Sequence, residues 1–170
     1  KVYEERLEDR FEAISAYRQL QEETPNDAQV LDALDRLYSA EGLHSDLLEV
    51  LETKIRNEPE PARRNAITYR AGSVLERELS NVDLAIQRYR EGLDTDISHS
   101  AARAALERLA RGESHRRQVV EILERVYKAR GEVEPLIAVL ELELEVLSEP
   151  AERRDLLLRI GHLNEEGVCD

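Results

Sequence analysis

Residues 35–72, DRLYSAEGLHSDLLEVLETKIRNEPEPARRNAITYRAG, are written a second time as residues 124–161, ERVYKARGEVEPLIAVLELELEVLSEPAERRDLLLRIG. The second copy starts 124 − 35 = 89 residues after the first and aligns without a gap. Tyr38 falls on Tyr127, Gly42 on Gly131, Leu47 on Leu136 and Leu51 on Leu140. Pro61, Ala62, Arg64, Arg70 and Gly72 fall on Pro150, Ala151, Arg153, Arg159 and Gly161. Self-similarity at this scale marks a repeat architecture, in which a unit buries its apolar face by stacking on the next.

A second echo has the offset 75 − 3 = 72, so that residues 3–74 are answered from residue 75 on. Ala13, Ile14, Tyr17 and Arg18 fall on Ala85, Ile86, Tyr89 and Arg90. Farther on, Ala33, Leu34, Arg36 and Leu37 fall on Ala105, Leu106, Arg108 and Leu109. The offsets differ by 89 − 72 = 17 residues, about one helix and its turn. The second half is therefore expected to hold one extra helix within residues 98–130, either the sixth or the seventh. Irregular stacking is expected near Gly112.

Apolar residues recur every three or four positions almost throughout, the period of an amphipathic helix, and no strand pattern occurs. Nine helices are expected in a single segment. The first runs from Val2 to Glu23 with Leu7, Phe11, Ile14, Tyr17 and Leu20 inward. Thr24-Pro25-Asn26-Asp27 ends it and caps the second, which Gly42 terminates. Ser45 or Asp46 caps the third, and Pro61 opens the fourth, where its missing N–H costs nothing. Asn81 or Asp83 opens the fifth, with Leu84, Ala85, Ile86, Tyr89 and Leu93 inward. Ser98 or Ser100 opens a short sixth that Gly112 stops. The seventh spans about Ser114 to Arg130, the eighth starts near Pro135 and the ninth at Pro150. Short connections imply antiparallel neighbours.

The 170 residues are 36% charged, 41% apolar and 4% aromatic, the balance of a strongly solvated helical protein. A net charge of −13 argues against a nucleic-acid or anionic-membrane surface, because phosphate binding needs clustered Lys and Arg. One cysteine, Cys169, excludes an intrachain disulfide. No apolar run is long enough to span a membrane and no signal peptide is visible, which favours a soluble cytoplasmic setting. The absence of methionine, even at position 1, suggests an internal piece of a longer chain.

Leu31, Leu34, Tyr38, Gly42, Leu47, Leu51 and Pro59 resemble the tetratricopeptide repeat pattern. That pattern is a helix-turn-helix with a tyrosine and a glycine near the turn and a proline at its end. The fifth helix resembles the second helix of such a repeat, with Ala85 and Tyr89 at its small and aromatic packing positions. Gly72 and Gly161 resemble the small residue in the middle of the first helix, and a mid-helix glycine suggests close helix approach. The resemblance covers nearly the whole chain but is degenerate. The family's tryptophan is absent, Leu47 stands where alanine is usual, and the repeat lengths are uneven. It implies an all-α antiparallel helix-hairpin solenoid, a right-handed superhelix whose first helices line the concave face, and protein–protein scaffolding.

Catalytic chemistry finds little support. His44, His99, His115 and His162 have no metal-ligand spacing, and there is no paired cysteine motif. The seven glycines are dispersed, so no phosphate loop forms, and no GxSxG elbow exists. Acid pairs such as Glu22-Glu23 are expected by composition alone. No cofactor, metal or catalytic residue is assigned, and the chain is read as a non-enzyme.

Tyr17, Tyr38, Tyr89 and Tyr127 read as core. Tyr69 lies one residue off its apolar stripe, as a contact residue or as a rim residue covering the core. Counting turns from the packing residues gives the concave face as Gln29, Asp32, Arg36 and Ser39 on the second helix. It adds Tyr69, Ser73 and Arg77 on the fourth, Gln118, Glu121, Arg125 and Lys128 on the seventh, and Leu158 and His162 on the ninth. Both charge signs occur on it, which suits a protein or peptide better than a nucleic acid or a membrane. The expected role is an interaction scaffold; the alternative is a regulatory module that senses a ligand or peptide and controls an attached effector domain. Neither terminal helix carries a polar cap, so self-association through the terminal repeats is also expected.

Overall fold

A computed structural model describes residues 10–167, and side chains as far as residue 165. The expected helix start at Val2, Leu7 of the first stripe and Cys169 lie outside the described residues. The described residues form nine helices and no strand. They are α1 (Arg10–Glu23), α2 (Ala28–Glu41), α3 (His44–Asn57), α4 (Pro61–Arg77), α5 (Val82–Thr95), α6 (Ser100–Ala110), α7 (Arg116–Arg130), α8 (Val133–Val146) and α9 (Pro150–Gly167). Among them no helix is long and apolar enough to cross a membrane. The chain divides into two compact units, one up to Arg88 and one from Tyr89 on, with the division inside α5.

In the first unit α1 packs on α2, α2 on α3, and α3 on α4. Their stripes meet in one core of Ala13, Ile14, Leu31, Leu34, Leu37, Tyr38, Leu47, Val50, Leu51, Ala71 and Val74. Burying such aliphatic side chains stabilises by about 1.5–3 kcal/mol each, the main favourable contribution to the fold. In the second unit α6 packs on α7, α7 on α8 and α8 on α9, and α6 also reaches α8. Its core repeats the first at the 89-residue offset: Tyr127, Leu136, Val139 and Leu140 are as deeply buried as Tyr38, Leu47, Val50 and Leu51. All-α helical-repeat packing is thus present in each unit.

Local signals explain most boundaries. Asp27 accepts from the backbone N–H of Gln29 and Val30 and caps α2. Glu60 does the same for Ala62 and Arg63, with Pro61 as the first residue of α4. Gly42 and Gly131 both end their helices at φ 68°, a left-handed conformation that a Cβ disfavours. Arg64 and Arg153, also 89 apart, each reach back to a carbonyl at the end of the preceding helix. Arg64 donates to Glu58 O, and Arg153 to Leu144 O and Leu147 O.

Several expectations are corrected. Neither Ser45 nor Asp46 caps α3: Gly42 turns the chain so tightly that Leu43 N bonds Tyr38 O, and the helix restarts at His44. His99, not Ser98 or Ser100, caps α6, its Nδ1 accepting from Ala102 N, because Ser98 is engaged by Asp96. Pro135 sits inside the first turn of α8, which opens at Val133, and α7 opens at Arg116, not Ser114. Phe11, Leu20 and Leu84 are exposed; on α1 the stripe is buried where it meets α2, at Ala13 and Ile14. Gly161 is not a point of close approach: a Cβ there would meet nothing within 4 Å.

Near Gly112 a buried arginine joins α6, α7 and α8. Arg116 opens α7 yet is 6% exposed. Its guanidinium donates to Ala110 O and Arg111 O at the end of α6, and to Leu142 O and Glu145 on α8. One buried cation thereby closes the Gly112 connection and satisfies carbonyls that would otherwise be left without donors.

Candidate functional site

The best-defined polar site of the first unit is built around Asp35. Its position on α2 falls in the seam that α3 and α4 share, so its side chain is 7% exposed. A carboxylate so buried must be paired. Arg70 of α4 grips it with two nitrogens, at 2.6 Å to Oδ1 and 2.8 Å to Oδ2. Lys54 Nζ of α3 lies 2.7 Å from Oδ2 and 2.7 Å from Asp32 Oδ1. Ser39 donates to the Asp35 carbonyl at 2.7 Å and accepts from Arg70 at 2.9 Å. Burial would push the Asp35 carboxyl up, but the bonds from Arg70 and Lys54 outweigh it and hold it below the usual range. Burial would likewise depress Lys54, yet Asp32 and Asp35 raise it above the usual lysine range. The cluster therefore carries fixed charges near neutral pH, suited to orienting a partner's polar groups.

Beside it opens a cavity of about 650 Å³ lined by Asp32, Asp35, Arg36, Ser39, Ala40 and Arg70. Three of the residues expected on the concave face, Asp32, Arg36 and Ser39, come together there. Gln29 stays exposed on the same helix. On α4, Tyr69 and Ser73 are half-buried and Arg77 is exposed; Arg70 is the residue of this helix that lines the cavity.

In the second unit Glu124 takes the place of Asp35 and Arg159 that of Arg70, and the two are again ion-paired. Lys128, in the place of Ser39, lies 2.6 Å from Glu124. The bonds from Lys128 and Arg159 overcome the effect of burial and hold Glu124 below the usual range. Arg125 pairs with Asp94 at 2.6 Å. Gln118 and Glu121 are exposed on α7. Leu158 is 59% exposed and, with Pro150, Arg153, Arg154 and Leu157, lines a separate cavity of about 540 Å³. His162 is exposed and lies 3.9 Å from Glu165. The thirteen expected residues are thus distributed over the two units, and the tightest grouping is the one on α2.

Sequence reasoning missed Asp35, Lys54 and Arg70 as members of the site. The signal existed: Asp35/Glu124 and Arg70/Arg159 are opposite charges kept in register by the repeat. In the repeat alignment Arg70 is legible as a match to Arg159, not as the partner of a buried acid. No protein family matches this chain, and no curated protein matches it.

Proposed function

We propose that the protein is a noncatalytic interaction module of tetratricopeptide-like helical hairpins that holds a peptide or protein against α2 and α4. The observation that supports this reading is the cavity of about 650 Å³, open to solvent and lined by acid, base and hydroxyl groups in fixed positions. Asp35, Arg70, Lys54 and Ser39 hold one another rigidly, so a partner pays little ordering cost on this side of the interface. Arg36 and Asp32 are more exposed and offer one donor set and one acceptor set to a polar backbone or side chain.

The test is capture from the source cell's lysate at low and at high salt, read by mass spectrometry, with wild type, Arg36→Glu and Tyr69→Ala as baits. A partner kept by wild type and lost on Arg36→Glu supports the reading. Equal recovery with all three baits would falsify it.

A further inference from the structure

Between the two copies of the repeat, 89 residues apart, one position in the polar seam changes the sign of its charge. In the first unit the acids Asp32 and Asp35 share the ammonium of Lys54, at 2.7 Å each. In the second unit those acids become Glu121 and Glu124, but the place of Lys54 is taken by Glu143. A position that supplies a cation in one copy carries a third acid in the other. The side chain of Glu143 makes no hydrogen bond or ion pair among the described residues. It is half-buried and lines a cavity of about 310 Å³ together with Arg117, Glu152, Asp155, Leu156 and Arg159. Glu152 also has no partner among the described residues.

The charges facing this cavity can be counted by name. Arg159 is engaged by Glu124, and so is Lys128. Asp155 is engaged by Arg154 at 3.2 Å. What remains is Arg117 on one wall against Glu143 and Glu152, with Glu121 close enough to Glu143 to repel it. The surplus is acidic, and the walls Leu147 and Leu156 are apolar. An acidic recess with apolar sides fits the aliphatic stem and charged head of a basic side chain. In the first unit Asp32 and Asp35, the counterparts of Glu121 and Glu124, hold such a head, that of Lys54.

We propose that the cavity beside Glu143 receives a lysine or arginine side chain of a bound peptide, which supplies in trans the cation that Lys54 supplies in cis. This rests on the reading that the protein binds peptides, but it concerns a different unit and different residues. Burial, assisted by Glu124 and Glu121, pushes the Glu143 carboxyl above the usual range, so an incoming cation relieves a repulsion already present.

The probe is a fluorescein-labelled peptide with four lysines, compared with its fully Nε-acetylated form and titrated by anisotropy at physiological ionic strength. Wild type is expected to prefer the unacetylated peptide. Glu143→Lys should weaken that binding at least tenfold and raise the melting midpoint, since the introduced lysine restores the arrangement of the first unit. Glu143→Gln should weaken it severalfold without loss of fold. Glu22→Lys makes the same change of net charge on an exposed part of α1 and should leave affinity within twofold. If Glu22→Lys weakens binding as much as Glu143→Lys, the attraction is general charge and the proposal fails. It also fails if Glu143→Lys binds as wild type does. In that case a partner lost on Arg36→Glu would still leave the first-unit groove standing.

Discussion

Asp35 and Glu124 occupy the same step of the repeat and bind the same arginine, yet their second cation comes from different places. Asp35 takes Lys54 from the next helix, whereas Glu124 takes Lys128 from its own, one turn on. The first arrangement ties three helices together through one buried acid. The second leaves α8 without a link to it and places Glu143 where the link would be. The difference shows how a repeat can keep its packing residues and still change the charge pairing of a site. Leu47, Val50 and Leu51 are matched by equally buried partners, while the polar seam above them is rewired.

The sharpest way to break this comparison is at the helix starts. Asp27 and Arg116 are also 89 residues apart, but Asp27 caps α2 from the surface while Arg116 is buried and serves two helix ends. Arg116→Ala is expected to lower stability by about 3 kcal/mol, because it strands buried carbonyls. Asp27→Ala should cost about 1 kcal/mol, the usual loss of a cap. Urea midpoints at constant slope measure both.

Next come the acids themselves. Asp35→Ala should cost about 2 kcal/mol, less than a fully buried pair because Arg70 is 45% exposed. Glu124→Ala should cost about 1 kcal/mol, since its side chain is 20% exposed and its lysine lies at the surface. Equal losses would mean that the helix-bridging lysine adds nothing.

The tyrosines give a smaller contrast. Tyr127 donates to Glu107 at 2.5 Å, and burial together with that carboxylate drives its phenol far above the usual range. Tyr38 has no hydroxyl hydrogen bond among the described residues. Tyr127→Phe should cost about 1.5 kcal/mol and Tyr38→Phe about 0.5 kcal/mol or less, by thermal or urea unfolding.

The smallest effect is a dependence on pH. Asp35 and Glu124 have lowered folded-state values, so their contribution is complete above the ordinary carboxyl range and is lost as pH falls below it through the lowered folded-state values. Glu143 is raised, so its contribution is greatest in acid and is lost as pH rises. Glu143→Gln should therefore stabilise at pH ~7 by a fraction of a kcal/mol and by less as the pH falls into the acid range. The same gain in acid would remove the repulsion from Glu124 and Glu121 as its cause.

Much of the fold was legible because helix starts and stops are local chemistry. Gly42 and Gly131, Asp27, Pro61 and Pro150 act within one turn of themselves, and a three-to-four-residue stripe names its own inward face. Failures came where the local rule met a competitor. Ser98 could not cap α6 because Asp96 held it, and neither Ser45 nor Asp46 was reached because the glycine turn before α3 left no free step. Of the site, Asp32, Arg36 and Ser39 could be found by counting turns along one helix. Asp35 could not be assigned: its partners Lys54 and Arg70 stand 19 and 35 residues away.

By itself the sequence determined that this chain is helical, that it repeats at 89 and 72 residues, and most of the apolar residues that carry the core, because periodicity and capping depend on neighbours within a turn or two. Tertiary structure alone decided which charges meet. Whether a buried acid is neutralised by the next helix, by its own helix or by nothing depends on where three backbones converge. At that point a single exchange of lysine for glutamate, Lys54 for Glu143, alters a site without altering the stripe that folds it.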